Sequence, residues 1–142
     1  MSQNRYVDTS ALLRVVLEGD DALRPLVQAG TCYTSAVTLA EARRAIRRAR
    51  ATGRLDAAAT QAARRRISEF ESGTEIVPVN EEVLGRTGEE FPVEPVRTLD
   101  AIHLATLQIL AEVLPELGVV STDEHVRENA RALGFKVVPA KG

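Results

Sequence analysis

The chain has one cysteine, Cys32, and two histidines, His103 and His125. A single cysteine excludes an internal disulfide and a thiolate metal cluster, and two histidines are too few for a typical zinc site. Within Thr31-Cys32-Tyr33-Thr34 the thiol is expected to act as a small buried hydrophobe of a strand. Long apolar runs are also missing. The longest candidate, Ala101 to Leu114, is interrupted by His103, Gln108 and Glu112, which argues against a membrane span. The opening residues Met1-Ser2-Gln3-Asn4-Arg5 lack the apolar stretch of a secretion signal, so a cytoplasmic location is expected. A large charge of one sign is absent as well, because 18 basic and 20 acidic residues leave a net charge of −2. That balance does not by itself announce a nucleic-acid binder.

What is present reads as alternating strands and helices. The 142 residues, 44% hydrophobic and 27% charged, suit one domain over 1–142 that buries a core without staples. Short strands are predicted at Arg5–Asp8, Thr31–Ser35, Glu75–Val79, Gly118–Ser121 and Lys136–Val138, with Pro78 suggesting a sheet edge. Between them, helices are predicted over Ala11–Leu17 with Ser10 as cap, from Asp20-Asp21 to Gly30, and over Ala36–Ala51 and Arg54–Ser72. Further helices are expected from the Asn80 cap to about Glu90, over Thr98–Leu114 with Thr98 as cap, and over Asp123–Leu133. No internal repeat, low-complexity tract or linker interrupts this order. It predicts an α/β fold, a three-layer α/β/α sandwich around a central five-stranded parallel sheet.

In such a fold the strand C-termini and helix N-termini share one edge of the sheet. Four carboxylates, Asp8, Glu41, Asp100 and Asp123, fall at or near those positions. Each has a plainer explanation: a helix cap for Asp8, a solvated helix face for Glu41, complementarity to the helix dipole for Asp100. Asp123 is left unexplained if Ser121 and Glu124 form a capping box, and Asp8 is free if Ser10 does the capping. Four acids brought together would repel one another and protonate unless a cation sat among them. Mg²⁺ or Mn²⁺ suits an all-oxygen site, and ions so held commonly act on phosphate. His103, one helical turn beyond Asp100, reads as a buried and satisfied ring before it reads as a ligand. Arg43, Arg44, Arg47, Arg48 and Arg50 crowd one helix, with Arg64, Arg65 and Arg66 on the next. Like charges four residues apart repel, so this face is either simply solvated or meets phosphate or an acidic partner.

Four segments in order resemble the PIN-domain ribonucleases, and within them the VapC-type toxins. These are Tyr6-Val7-Asp8-Thr9-Ser10-Ala11-Leu12, Ser35-Ala36-Val37-Thr38-Leu39-Ala40-Glu41, Thr98-Leu99-Asp100-Ala101-Ile102-His103-Leu104-Ala105 and Ser121-Thr122-Asp123. The last carries serine where threonine is usual in that family. The resemblance implies a Mg²⁺- or Mn²⁺-dependent endoribonuclease, the toxin of a toxin–antitoxin pair, usually a homodimer and held inactive by a cognate antitoxin protein. Residue by residue it implies Asp8, Glu41, Asp100 and Asp123 as the catalytic and metal-binding acids, with Ser10 and Ser121 as supporting polar groups. The alternative from the same residues is a non-catalytic PIN-like scaffold that binds RNA or protein. Chemistry through an aspartyl phosphate fits less well. Ser10 stands where a dehalogenase-like site needs a second aspartate, and Lys136 begins the fifth strand where a receiver domain needs a lysine near its end.

Overall fold

The computed structural model describes residues 3–28 and 30–141. The strands β1 (Asn4–Val7), β2 (Thr31–Ser35), β3 (Thr74–Val77), β4 (Gly118–Val120) and β5 (Lys136–Val138) form one sheet in the order β3-β2-β1-β4-β5. Every neighbouring pair is parallel, with Tyr6 opposite both Tyr33 and Val119. The connections contain α1 (Thr9–Glu18), α2 (Ala36–Ala51), α3 (Ala57–Ser72), α4 (Glu81–Arg86), α5 (Thr98–Ala111) and α6 (Glu124–Ala132). Among the described residues no helix is long and apolar enough to cross a membrane.

Successive strand residues point to opposite faces, and both faces are apolar because helices cover both. Val7, Cys32 and Val120 pack on one side with Leu12, Val16, Ile46 and Ile67 of α1, α2 and α3. Tyr6 and Val119 pack on the other with Leu104 and Leu107 of α5 and Ala130 of α6. The expected α/β/α sandwich with a five-stranded parallel sheet is therefore the observed one. Cys32 is buried, as its strand setting predicts. The edge position of β3 agrees with Pro78, which follows its last residue.

Several boundaries differ from the sequence reading. The segment after Asp20 is a series of turns rather than a helix: Leu26 N–H donates to Leu23 and Gln28 N–H to Pro25, each three residues back. Pro25 has no N–H to continue a regular ladder. Ala29, within the predicted span, lies outside the described residues. The helix capped by Asn80 ends at Arg86, where the Thr87 hydroxyl donates to the Leu84 carbonyl and two glycines, Gly85 and Gly88, weaken continuation. Asp56 caps α3, whose first residue is therefore Ala57 and not Arg54. At the far end α5 stops at Ala111, short of Leu114, since Pro115 disfavours helical backbone in the residue before it.

Strand order decides where a site can form. From β1 the chain crosses to β2 and β3 on one side, and later to β4 and β5 on the other. Between β1 and β4 the helices on either side diverge, leaving a crevice at the strand C-termini. Leu104, fully buried against Tyr6 and Leu107, anchors α5 beside that crevice. Leu104→Ala is expected to destabilise the fold by about 3 kcal/mol, readable as a lowered midpoint in urea unfolding with an unchanged slope.

Candidate active site

Asp8 is the first residue beyond β1 and is only 2% exposed. It caps α1 itself, its Oδ1 accepting the Ala11 N–H at 3.3 Å. Ser10 is thus not the cap. Its hydroxyl lies in the first turn and donates to Asp8 Oδ1 at 2.6 Å, while its oxygen accepts the backbone N–H groups of Thr122 and Asp123 at 2.9 and 3.1 Å. Ser121, fully buried just after β4, donates its hydroxyl to Asp8 Oδ2 at 2.7 Å. The two serines therefore lock the β1 end to the β4 loop across the crevice. Burial pushes the Asp8 carboxyl above its ordinary pKa, an effect partly offset by His103 and by the hydrogen bonds from Ser10, Ser121 and Ala11.

Asp123 caps α6, its Oδ1 accepting the Val126 N–H at 3.0 Å. The predicted Ser121–Glu124 capping box is absent: Ser121 Oγ instead accepts the Asp123 N–H at 3.1 Å. Asp100 lies in the first turn of α5, whose cap position is Arg97, without a side-chain capping bond, rather than Thr98. Burial raises the Asp100 pKa first. The neighbouring charges of Asp123, Asp8 and Glu41 add to the rise, and His103 opposes it. Asp8, Glu41 and Asp123 thus all act on Asp100 through their charges. Among the described residues no lysine or arginine forms an ion pair with Asp8, Asp100 or Asp123, and Asp100 accepts no hydrogen bond.

Glu41 stands one and a half turns into α2 and is tied down from two sides. Thr9 Oγ1 donates to its Oε1 at 2.7 Å, and His103 Nε2 lies 3.0 Å from the same oxygen. Burial would raise the Glu41 pKa, but the hydrogen bonds from His103 and Thr9 and the His103 charge outweigh it, and the net shift is downward. His103 is 2% exposed and also contacts Tyr6 Oη through Nδ1 at 2.6 Å. Burial holds the Tyr6 phenol protonated to well above its usual range, and the charges of Asp8 and Glu41 add to this. Which of Tyr6 Oη and His103 Nδ1 donates depends on the ring tautomer, and the ring bridges the phenol and Glu41 in either case. His103 is satisfied and buried, as its sequence setting predicts. Tyr6 and Thr9 join this network, and the sequence pattern does not single them out; a polar Thr9 between Asp8 and Ser10 is the one local signal.

The candidate donors are all carboxylate oxygens, and no lysine or arginine is paired with Asp8, Asp100 or Asp123 among the described residues, which is the chemistry a hard divalent cation suits. Among the described residues, however, no three Asp, Glu, His or Cys side chains are gathered closely enough to close a metal site. Asp8 has both oxygens engaged by serine hydroxyls. A cation would share or replace those bonds.

Asp100 gives a clean stability test because its side chain holds no hydrogen bond that a substitution could break. With its folded pKa above the unfolded one, the ionised carboxylate is penalised in the fold, and stability rises as pH falls through the window between the two values. Asp100→Asn is expected to melt above the wild type at neutral pH in EDTA. The difference should narrow as the pH is lowered through that window, which a pH series of thermal melts would follow.

A family model described as "PIN domain" matches residues 5–132. The chain is 36% identical over 138 residues to "Ribonuclease VapC35" and 34% identical over 139 residues to "Ribonuclease VapC46", both of Mycobacterium tuberculosis. Each alignment covers 94% of this chain, with 94% and 95% of the relatives covered in turn. Among solved structures, a toxin–antitoxin complex from Klebsiella pneumoniae superposes with a TM-score of 0.65 at 16% identity, covering 97% of this chain and 99% of that one. VapBC2 from Rickettsia felis, crystallised with a DNA fragment from its promoter, gives 0.62 at 13% identity, covering 95% and 97%. These structures agree in fold, the family model spans all four acids, and the chain belongs to the PIN-domain family.

Proposed function

We propose that this protein is a cytoplasmic, Mg²⁺- or Mn²⁺-dependent endoribonuclease that serves as the toxin of a toxin–antitoxin pair. One observation carries the reading: a buried aspartate at the end of the central strand, and an Asp100 on which the charges of Asp8, Glu41 and Asp123 all act, with no lysine or arginine paired to Asp8, Asp100 or Asp123 among the described residues. Names of the relatives, ribonucleases in both cases, support the same reaction. Toxin–antitoxin complexes among the structural neighbours support an antitoxin as partner. The toxin would be a homodimer, held inactive by its antitoxin.

Asp8, Asp100 and Asp123 would hold the metal directly or through water, with Glu41 completing the shell. When bound, Mg²⁺ or Mn²⁺ lowers the pKa of a water and neutralises charge on the scissile phosphate. Thr9 and His103 hold the Glu41 carboxylate through Oε1 and favour its ionised form. Ser10 and Ser121 hold Asp8 and the Asp123 backbone in one frame, so these acids are positioned before any ligand arrives. Two serine hydroxyls face Asp8, and no three-ligand set is closed among the described residues. That observation favours the second reading, a PIN-like scaffold that binds RNA or protein without cutting.

The two readings separate in one experiment. Antitoxin-free protein is incubated with total cellular RNA in Mg²⁺, in Mn²⁺ and in EDTA, beside Asp100→Asn. Discrete fragments are expected with metal only, and Asp100→Asn should cleave slower by on the order of 10²-fold. RNA binding that survives EDTA, with no products in either metal, would establish the scaffold instead.

A further inference from the structure

The α2–α3 hairpin carries nine of the chain's 18 basic residues within residues 36–72, against four carboxylates, Glu41, Asp56, Glu69 and Glu71. Its charge is therefore +5, and the rest of a chain with net charge −2 carries −7. Between the two helices runs a groove of about 430 Å³ rimmed by Arg43, Arg44, Arg47 and Arg64 over a floor that includes Ile46 and Ile67. No carboxylate lines it. Arg43 alone of the four forms an ion pair among the described residues, with Glu71 at 2.9 Å. Arg43 and Arg47 stand at the repelling i, i+4 spacing on one exposed face, a cost that a solvated helix has no reason to bear.

Two features choose the ligand. The groove is built on α2, the helix that holds Glu41, and Arg44 and Arg47 follow it by three and six residues, about 4.5 and 9 Å along the axis. A chain lying along the arginines therefore leads to the acids. The hairpin also exposes no large hydrophobic side chain: the exposed ones, Leu84, Leu99 and Val113, are all elsewhere. A protein partner would need apolar or aromatic anchors at the centre of its interface, whereas a phosphodiester backbone needs only fixed cations that fit its oxygens.

We propose that this groove binds the backbone of the RNA strand on one side of the scissile phosphate, gripping several phosphates and feeding the chain toward Asp8 and Asp100. The proposal rests on the ribonuclease reading for the direction of the track, but binding can be measured without cleavage. The fields are complementary. The hairpin attracts the polyanion and offsets the repulsion it meets at the acidic centre.

The test uses the full chain in EDTA with a labelled single-stranded RNA of mixed sequence, titrated by fluorescence anisotropy at several salt concentrations. The variant is R44Q/R47Q, and R14Q/R86Q makes the same charge change away from the hairpin. Thermal melts confirm that both are folded. R44Q/R47Q is expected to lower affinity at least tenfold at low salt and to flatten the slope of log affinity against log salt by roughly 1.4, about 0.7 for each phosphate no longer neutralised. The control should change both by much less. Equal losses in the two variants would mean a general charge effect and overturn the groove, as would an unchanged affinity in R44Q/R47Q. If the groove variant loses RNA but the wild type never cleaves with metal, the nuclease reading fails and the groove stands. Metal-dependent cleavage with full RNA affinity in the variant gives the reverse.

Discussion

The arrangement depends on a carboxylate held where the sheet buries it. Asp8 ends the central strand, next to the point where crossovers diverge, and two serine hydroxyls and one backbone N–H replace the water it loses. An ionised group in that position is costly, which is why its pKa rises despite three hydrogen bonds. The same bonds tie β1 to the loop after β4. Ser10 accepts the Thr122 and Asp123 N–H groups, so the residues that satisfy Asp8 also set the start of α6. The acid cannot be moved without releasing the loop that carries Asp123.

On the other side of Asp8 the Tyr6–His103–Glu41 chain performs a comparable service for the second acid. It runs from the sheet through α5 to α2, joining three elements that are distant in sequence. Each member is held by the next: burial keeps the phenol protonated, and the ring contacts the phenol through Nδ1 and Glu41 through Nε2. Thr9, adjacent to Asp8, reaches the same Glu41 oxygen. Arg127, fully buried on α6, adds a third tether by donating to the Ser121 carbonyl at 2.6 Å and to the Pro139 carbonyl at 2.7 Å. The site is thus rigid by construction at Asp8 and Glu41. Asp100 has electrostatic neighbours but no hydrogen bond to its side chain among the described residues.

Charge is distributed unevenly for a chain that is nearly neutral overall. Acids gather at one edge of the sheet, and arginines gather on one helical hairpin that begins at that edge. Net charge conceals this, because the two fields cancel in the sum while remaining separate in space.

Much of the architecture is written in local pattern. Runs such as Thr31–Ser35, Lys136–Val138 and Ala36–Ala51 are legible to their observed bounds, since each is a short apolar strand or a periodic helix with a clear stop. The four acids and both serines are legible as residues too, because strand ends and helix starts must meet along one edge of a parallel sheet. Their assignments are not. Ser10, Ser121 and Thr98 resemble caps locally, yet Asp8 and Asp123 do the capping, and Arg97 sits at the start of α5 without a side-chain bond. With Asp8 and Asp123 taking the caps, the Ser10 and Ser121 hydroxyls are freed to bridge β1 and the loop after β4. Sequence by itself determined which side chains are present, the order of elements, and that hydroxyl and acid lie just beyond β1 and β4. Tertiary structure alone decided that Tyr6 meets His103, that Thr9 and His103 meet Glu41, and that Ser121 meets Asp8 across 113 positions, because those choices follow from distances across the sheet that no local spacing encodes.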